Sequence, residues 1–130
     1  MNQPIKIVES MDWSSLKHEY GLDGKRLLPW SGVTLPFGGA YCVVREGTVS
    51  LPHVNEPADE EEMFICIDGT AEVVIGERRH SAKRGDVIYI PAGEPHHVDA
   101  CLGADFHFYT LWWSKGTCGN YIDERAHADV

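Results

Sequence analysis

Short strand-like segments of about five residues, most of them apolar and separated by turn-forming residues, fill the middle of the chain. "MFICI" (63–67), "AEVVI" (71–75), "DVIYI" (86–90) and "HHVDA" (96–100) follow one another. "ADFHFYTLWW" (104–113) is a longer run of the same kind. Asp68-Gly69 stands between the first two runs, and an Asp-Gly pair in that place predicts a tight hairpin. Gly76-Glu77 and Gly85-Asp86 mark two more turns. Strands recurring at intervals of about ten residues indicate an all-β sandwich or barrel, and no long helical pattern competes.

The N-terminal part is less regular. "PIKIVES" (4–10) predicts a short edge strand, since Pro4 is tolerated at a strand start. The polar stretch 11–26, with weak helical spacing and two glycine breaks, predicts a turn of helix followed by loop. Residues 32–55 are rich in Val, Tyr and Thr, punctuated by Gly and Pro, and predict two or three short strands. The chain reads as one domain over 1–130, with an arm and edge strand over 1–32, a barrel over 33–114 and a tail over 115–130. Phe106, Phe108, Trp112 and Trp113 are expected to serve core and interface packing.

Composition narrows the classes. A length of 130 residues suits a single domain able to bury a sizeable core. A net charge of −9 gives no electrostatic means of holding nucleic acid or an anionic membrane, so neither partner is expected. No stretch approaches the roughly 20 apolar residues of a bilayer span. The N-terminus lacks the pattern of a signal peptide, and a cytoplasmic location is expected. Cys42, Cys66, Cys101 and Cys118 are widely separated and read as reduced, mostly buried thiols. Without paired spacing they make a poor zinc-thiolate set.

Candidate chemistry lies elsewhere. His53 and Asn55 are two apart, so on a strand both side chains point to one face. Glu62 opens the next run and shares its face with Phe64 and Cys66. A neutral imidazole and a carboxylate from neighbouring strands are what a divalent ion needs. His96 is the candidate for a further donor, because the Pro91/Gly93/Pro95 corner before it sets the imidazole direction with little freedom. His97, its neighbour, is expected on the opposite side of an extended segment. His107 lies in the last run. Facing inward, it serves as a general base or as a replacement ligand; otherwise it is a hydrogen-bonded strand histidine. His18, His80 and His127 lie in polar surroundings and read as surface residues. Glu56, Asp59, Glu60 and Glu61 form an acidic run beside the proposed mouth. It is either a solvated loop, or a lid that disfavours anionic substrates, or a source of an extra metal donor in Glu56.

These spacings resemble those of the cupins. Gly47, His53, Asn55, Glu62 and Gly69 follow most of the first cupin motif, G-x5-H-x-H-x3,4-E-x6-G. Gly85, Pro91, Gly93 and His96 follow the second, G-x5-P-x-G-x2-H-x3-N, with Ala100 in place of the final Asn. The resemblance implies a small six- to eight-stranded antiparallel barrel of the jelly-roll or double-stranded β-helix type. It also implies a metal inside, and commonly a homodimer. Two departures stand out: Asn55 replaces the usual second histidine, and six residues rather than three or four precede Glu62. Three readings follow. Asn55 contributes its amide oxygen; or it stands behind a His53, Glu62, His96 set like that of non-haem Fe(II) oxygenases; or the site is dead or weakly metallated.

The expected function is a metal-dependent enzyme acting on a small organic substrate, with Fe, Mn, Zn or Ni in the barrel. It would be a dioxygenase or an isomerase or lyase, with Glu62 and His107 as candidate catalytic groups. The alternative is a non-catalytic metal- or small-molecule-binding barrel with a sensor or regulatory role.

Overall fold

The structure is a computed structural model, and it describes residues 4–118. Nine strands run through it: β1 (Lys17–Glu19), β2 (Leu22–Leu28), β3 (Gly38–Val44), β4 (Glu60–Asp68), β5 (Thr70–Ile75), β6 (Arg78–Lys83), β7 (Val87–Ile90), β8 (His96–Asp99) and β9 (Phe106–Ser114). They form an antiparallel six-stranded sheet, β1-β2-β3-β9-β4-β7, facing a three-stranded sheet, β6-β5-β8. This is the all-β architecture that the strand spacing indicated and the jelly roll that the motif resemblance implied. Among the described residues, the two hydrogen-bonded ladders do not close into one continuous barrel.

The core sits between the sheets, and alternation within strands fills it. On β9 Phe106, Phe108 and Thr110 are buried while His107 and Tyr109 are half-buried on the other side. On β4 Glu62, Phe64 and Cys66 alternate in the same way. β3 is buried on both faces: Ala40, Cys42 and Val44 join the inter-sheet core, and Tyr41 and Val43 join a second cluster with Leu27 on the outer side. Met11 of the N-terminal arm packs against that outer cluster, which is why a strand with no polar face is stable here.

Four expectations are corrected, and one strand went unread. Residues 32–55 form one strand, β3, and two isolated bridges, at Val49 and His53, rather than two or three strands. Residues 4–10 form no strand. Residues 11–26, read as helix and loop, instead supply β1 and most of β2. The two positive-φ residues of the Tyr20-Gly21 turn make them a hairpin, which the weak helical spacing concealed. Asp68-Gly69 is not a hairpin turn: β4 pairs with β9 and β7, whereas β5 pairs with β6 and β8, so Gly69 carries the chain from one sheet to the other. The polar strand β6 went unread because five of its six residues are exposed and it lacks an apolar run. Gly76-Glu77 does close a two-residue hairpin, with Ile75 opposite Arg78. Of the tail, residues 119–130 lie outside the described residues, and His127 with them. Among the described residues no helix is long and apolar enough to cross a membrane.

Candidate metal centre

The two motif segments meet directly. His53 and His96 form an antiparallel bridge, His53 N–H donating to His96 O at 3.2 Å and His96 N–H to His53 O at 3.0 Å. Their rings lie 4.4 Å apart between centroids. Glu62, inward-facing on β4, completes a group in which one ligand atom each from His53, Glu62 and His96 lies within 4.8 Å of the others.

Each donor is held differently. The Nδ1 of His96 is 3.0 Å from the Glu94 carbonyl oxygen, a contact that requires an N–H there and leaves the lone pair on Nε2. That Nε2 is buried without a hydrogen-bond partner: it lies 3.2 Å from Glu62 Oε1, a close approach that is not an aligned bond. The Glu62 carboxylate accepts from Asn55 Nδ2 at 3.1 Å on one oxygen and from the Thr110 hydroxyl on the other. Burial pushes the Glu62 carboxyl up, but the contacts with His96, Thr110 and Asn55 outweigh it and hold the group below its usual value. Burial pulls His96 down, and the neighbouring Glu62 carboxylate with the Glu94 carbonyl outweighs that and raises it. A buried imidazole nitrogen with no partner, facing an anchored carboxylate and a second imidazole, is a donor set compatible with a divalent ion.

Asn55 is buried with its amide nitrogen on Glu62, because an ionised carboxylate can only accept. That contact places it behind the carboxylate in the structure. His107 stands on the other face of β9, its Nδ1 3.0 Å from the Tyr41 hydroxyl and its ring edge-on to Trp13, so it is not brought to the cluster. The reason is strand alternation: Phe106, Phe108 and Thr110 take the inner face. His97 is half-buried beside the cavity, and His18 and His80 are exposed, His18 paired with Asp23 at 2.6 Å. Glu56 lines the cavity outside the cluster. Cys42, Cys66 and Cys118 are buried free thiols, while Cys101 is exposed.

The cluster opens on a cavity of about 620 Å³ with apolar walls from Phe64, Phe108 and Trp112. Arg26, on β2, also lines it: its guanidinium lies 5.3 Å from the Trp112 ring centroid and donates to Glu19 at 3.2 Å. On the inward face only the small Ala40 separates Arg26 from Thr110. Three contributors to this site escaped sequence reasoning. Thr110 shares its face with Phe106 and Phe108, a signal that lacked only the knowledge of which face is interior. Arg26 and Tyr20 lay in the stretch read as helix and loop.

A pair of facing antiparallel sheets with a histidine-carboxylate cluster between them defines a small jelly roll whose inner donor set is compatible with a divalent ion. The Cupin domain family model matches residues 40–113, and the chain belongs to the cupin family. No curated protein matches it. Among solved structures it is similar to the plu4264 protein of Photorhabdus luminescens, at 43% identity over 94% of this chain and 99% of that one, with a TM-score of 0.79. It is also similar to a Cupin 2 conserved barrel domain protein of Salinispora arenicola, at 30% identity over 93% and 99% of the two chains, TM-score 0.77. A predicted oxalate decarboxylase of Thermotoga maritima shares the fold at 20% identity over 72% and 80%, TM-score 0.62.

Proposed function

We propose that this cupin is a metal-dependent enzyme acting on a small organic molecule in the cavity, as a dioxygenase or as an isomerase or lyase. The observation that carries this reading is the buried, unpartnered Nε2 of His96 beside the Glu62 carboxylate, at the end of a cavity with apolar walls. His53, Glu62 and His96 would hold the ion. A divalent metal there supplies Lewis acidity toward a substrate oxygen, and as Fe(II) it supplies an affinity for O₂.

The chain's own residues do the rest. Phe64, Phe108 and Trp112 exclude water and bind the hydrocarbon part of the substrate. Arg26, held in place by Glu19 and the Trp112 face, offers its remaining N–H groups to a carboxylate or similar oxyanion of the substrate. Thr110 and Asn55 keep Glu62 ionised and fixed in direction. His107 has no part in this proposal, since it faces away from the cavity.

The test is reconstitution with Fe(II) and Mn(II), then oxygen uptake and substrate loss against diketones, thiols, phenolics and small carboxylic acids. Turnover of at least one class is expected. For an acid substrate, Arg26→Gln should raise KM about tenfold with metal content unchanged, the scale of one charge-assisted contact. Metal-loaded protein that binds panel members yet transforms none would favour the non-catalytic binding barrel instead.

A further inference from the structure

His53 differs from His96 in how its ring is fixed. His96 gives its Nδ1–H to a carbonyl at 3.0 Å, the usual device by which a protein orients an imidazole ligand. His53 Nδ1 reaches only the Leu51 carbonyl, at 3.5 Å, the outer limit of such a bond. What contacts the His53 ring instead is Tyr20, stacked at 4.8 Å between centroids with the planes 28° apart.

Tyr20 reaches that position at a conformational cost. Its φ of 55° is the one positive value at a non-glycine residue among those described. A bulky side chain is disfavoured in that region, and such strain persists where the surroundings over-determine it. They do so here. Tyr20 and Gly21 form the turn of the β1–β2 hairpin, and that turn is bolted to the segment that carries His53. Leu51 N–H donates to Tyr20 O at 2.7 Å, and a Cβ on Gly21 would lie 2.9 Å from Leu51 N and 3.1 Å from Ser50 Cα. With its ring 4.8 Å from that of His53, Tyr20 is nevertheless 48% exposed, so core packing does not explain the strain.

We propose that Tyr20 is a positioning residue for the metal centre: its ring, fixed by the strained hairpin turn, holds the His53 imidazole in its ligating direction in place of the missing hydrogen bond. The role rests on the reading of His53, Glu62 and His96 as metal ligands. With Tyr20 stacked on the His53 ring and the His96 ring 4.4 Å away, rotation of the His53 imidazole is restricted, so less side-chain freedom is lost when the ion binds.

Three variants separate positioning from stability. Tyr20→Phe keeps the ring. Tyr20→Gly and Tyr20→Asn remove it while suiting the positive φ. The first readout needs no metal: the His53 ring-proton NMR shifts. The ring current of Tyr20 should hold them upfield in the wild type and in Tyr20→Phe, and they should move downfield in Tyr20→Gly and Tyr20→Asn. The second is Co(II) affinity by chelator competition. It should stay within about twofold for Tyr20→Phe and fall about tenfold or more for the ringless pair, the lower end of what outer-shell partners of ligands contribute. Urea midpoints of the ringless variants should be no lower than wild type.

Unchanged His53 shifts, or ringless variants that bind Co(II) like wild type, would overturn the proposal. So would a fall in affinity in proportion to a fall in the urea midpoint. Should the shifts move as expected while the wild type binds no Co(II), the ligand reading would fail and Tyr20 would orient His53 for no metal.

Discussion

Glu62 is the residue on which the site depends, and its surroundings explain why it stays ionised while buried. Two neutral donors, Asn55 and Thr110, satisfy separate oxygens of the carboxylate. Replacing Thr110 by Val keeps the shape of the side chain and removes one donor. The carboxylate then loses both its fixed direction and part of what offsets its burial. Metal affinity is expected to fall roughly tenfold, with the fold retained, as chelator competition and far-UV circular dichroism would report. An unchanged affinity would mean that Thr110 does not orient the carboxylate. The thiols follow the same logic of burial. Desolvation, helped by nearby Glu62, pushes Cys42 up to about 12, and burial pushes Cys66 up to about 11, so neither is a reactive thiolate near neutrality.

Among the elements, strands β4, β8 and β9 place Glu62, His96 and Thr110, and the turns fix how the chain passes between the sheets. Gly69 sits at φ 79° between β4 and β5, and a Cβ there would overlap the Asp105 carbonyl oxygen. Gly69→Ala is therefore expected to cost more than about 2 kcal/mol in urea unfolding, because a clash with backbone adds to the unfavourable dihedral. The strands β4, β5, β7 and β9 were legible because each carries an apolar run bounded by Gly, Pro or Asp, and β8 because it follows the Pro91/Gly93/Pro95 corner. β6 and the β1–β2 hairpin were not, since their residues are largely exposed or half-exposed and carry no apolar run, although each pairs locally through a two-residue turn. The Asp68-Gly69 turn misled for a related reason: a positive-φ glycine fixes a reversal, whereas which strands pair is decided by burial of β4 and β5 in different sheets. At the site, motif spacing located His53, Glu62 and His96. The partners that orient them, Thr110 and Tyr20, depend on cross-strand contacts that no local spacing records.

At the scale of the whole molecule, the buried His96–Glu62 pair links stability to pH. The depressed Glu62 contributes fully above its ordinary value of 4.5 and loses that contribution as pH falls through its lower folded value. The raised His96 contributes fully below its ordinary 6.5 and loses it as pH rises through its higher folded value. Metal-free protein should thus be best served by this pair between pH 4.5 and 6.5, and its thermal midpoint should decline above that window. With a divalent ion the trend should reverse, since the ion needs the neutral imidazole, and the added stabilisation should grow from about pH 5 to about pH 8. Thermal melts across that range, with chelator and with metal, check both signs.

The most direct measurement is anomalous diffraction from crystals grown with Mn(II) or Co(II). A single peak about 2.0–2.3 Å from a nitrogen of His53, a nitrogen of His96 and an oxygen of Glu62 is the predicted result. No peak between those three side chains, or the ion held by other residues, would contradict the account.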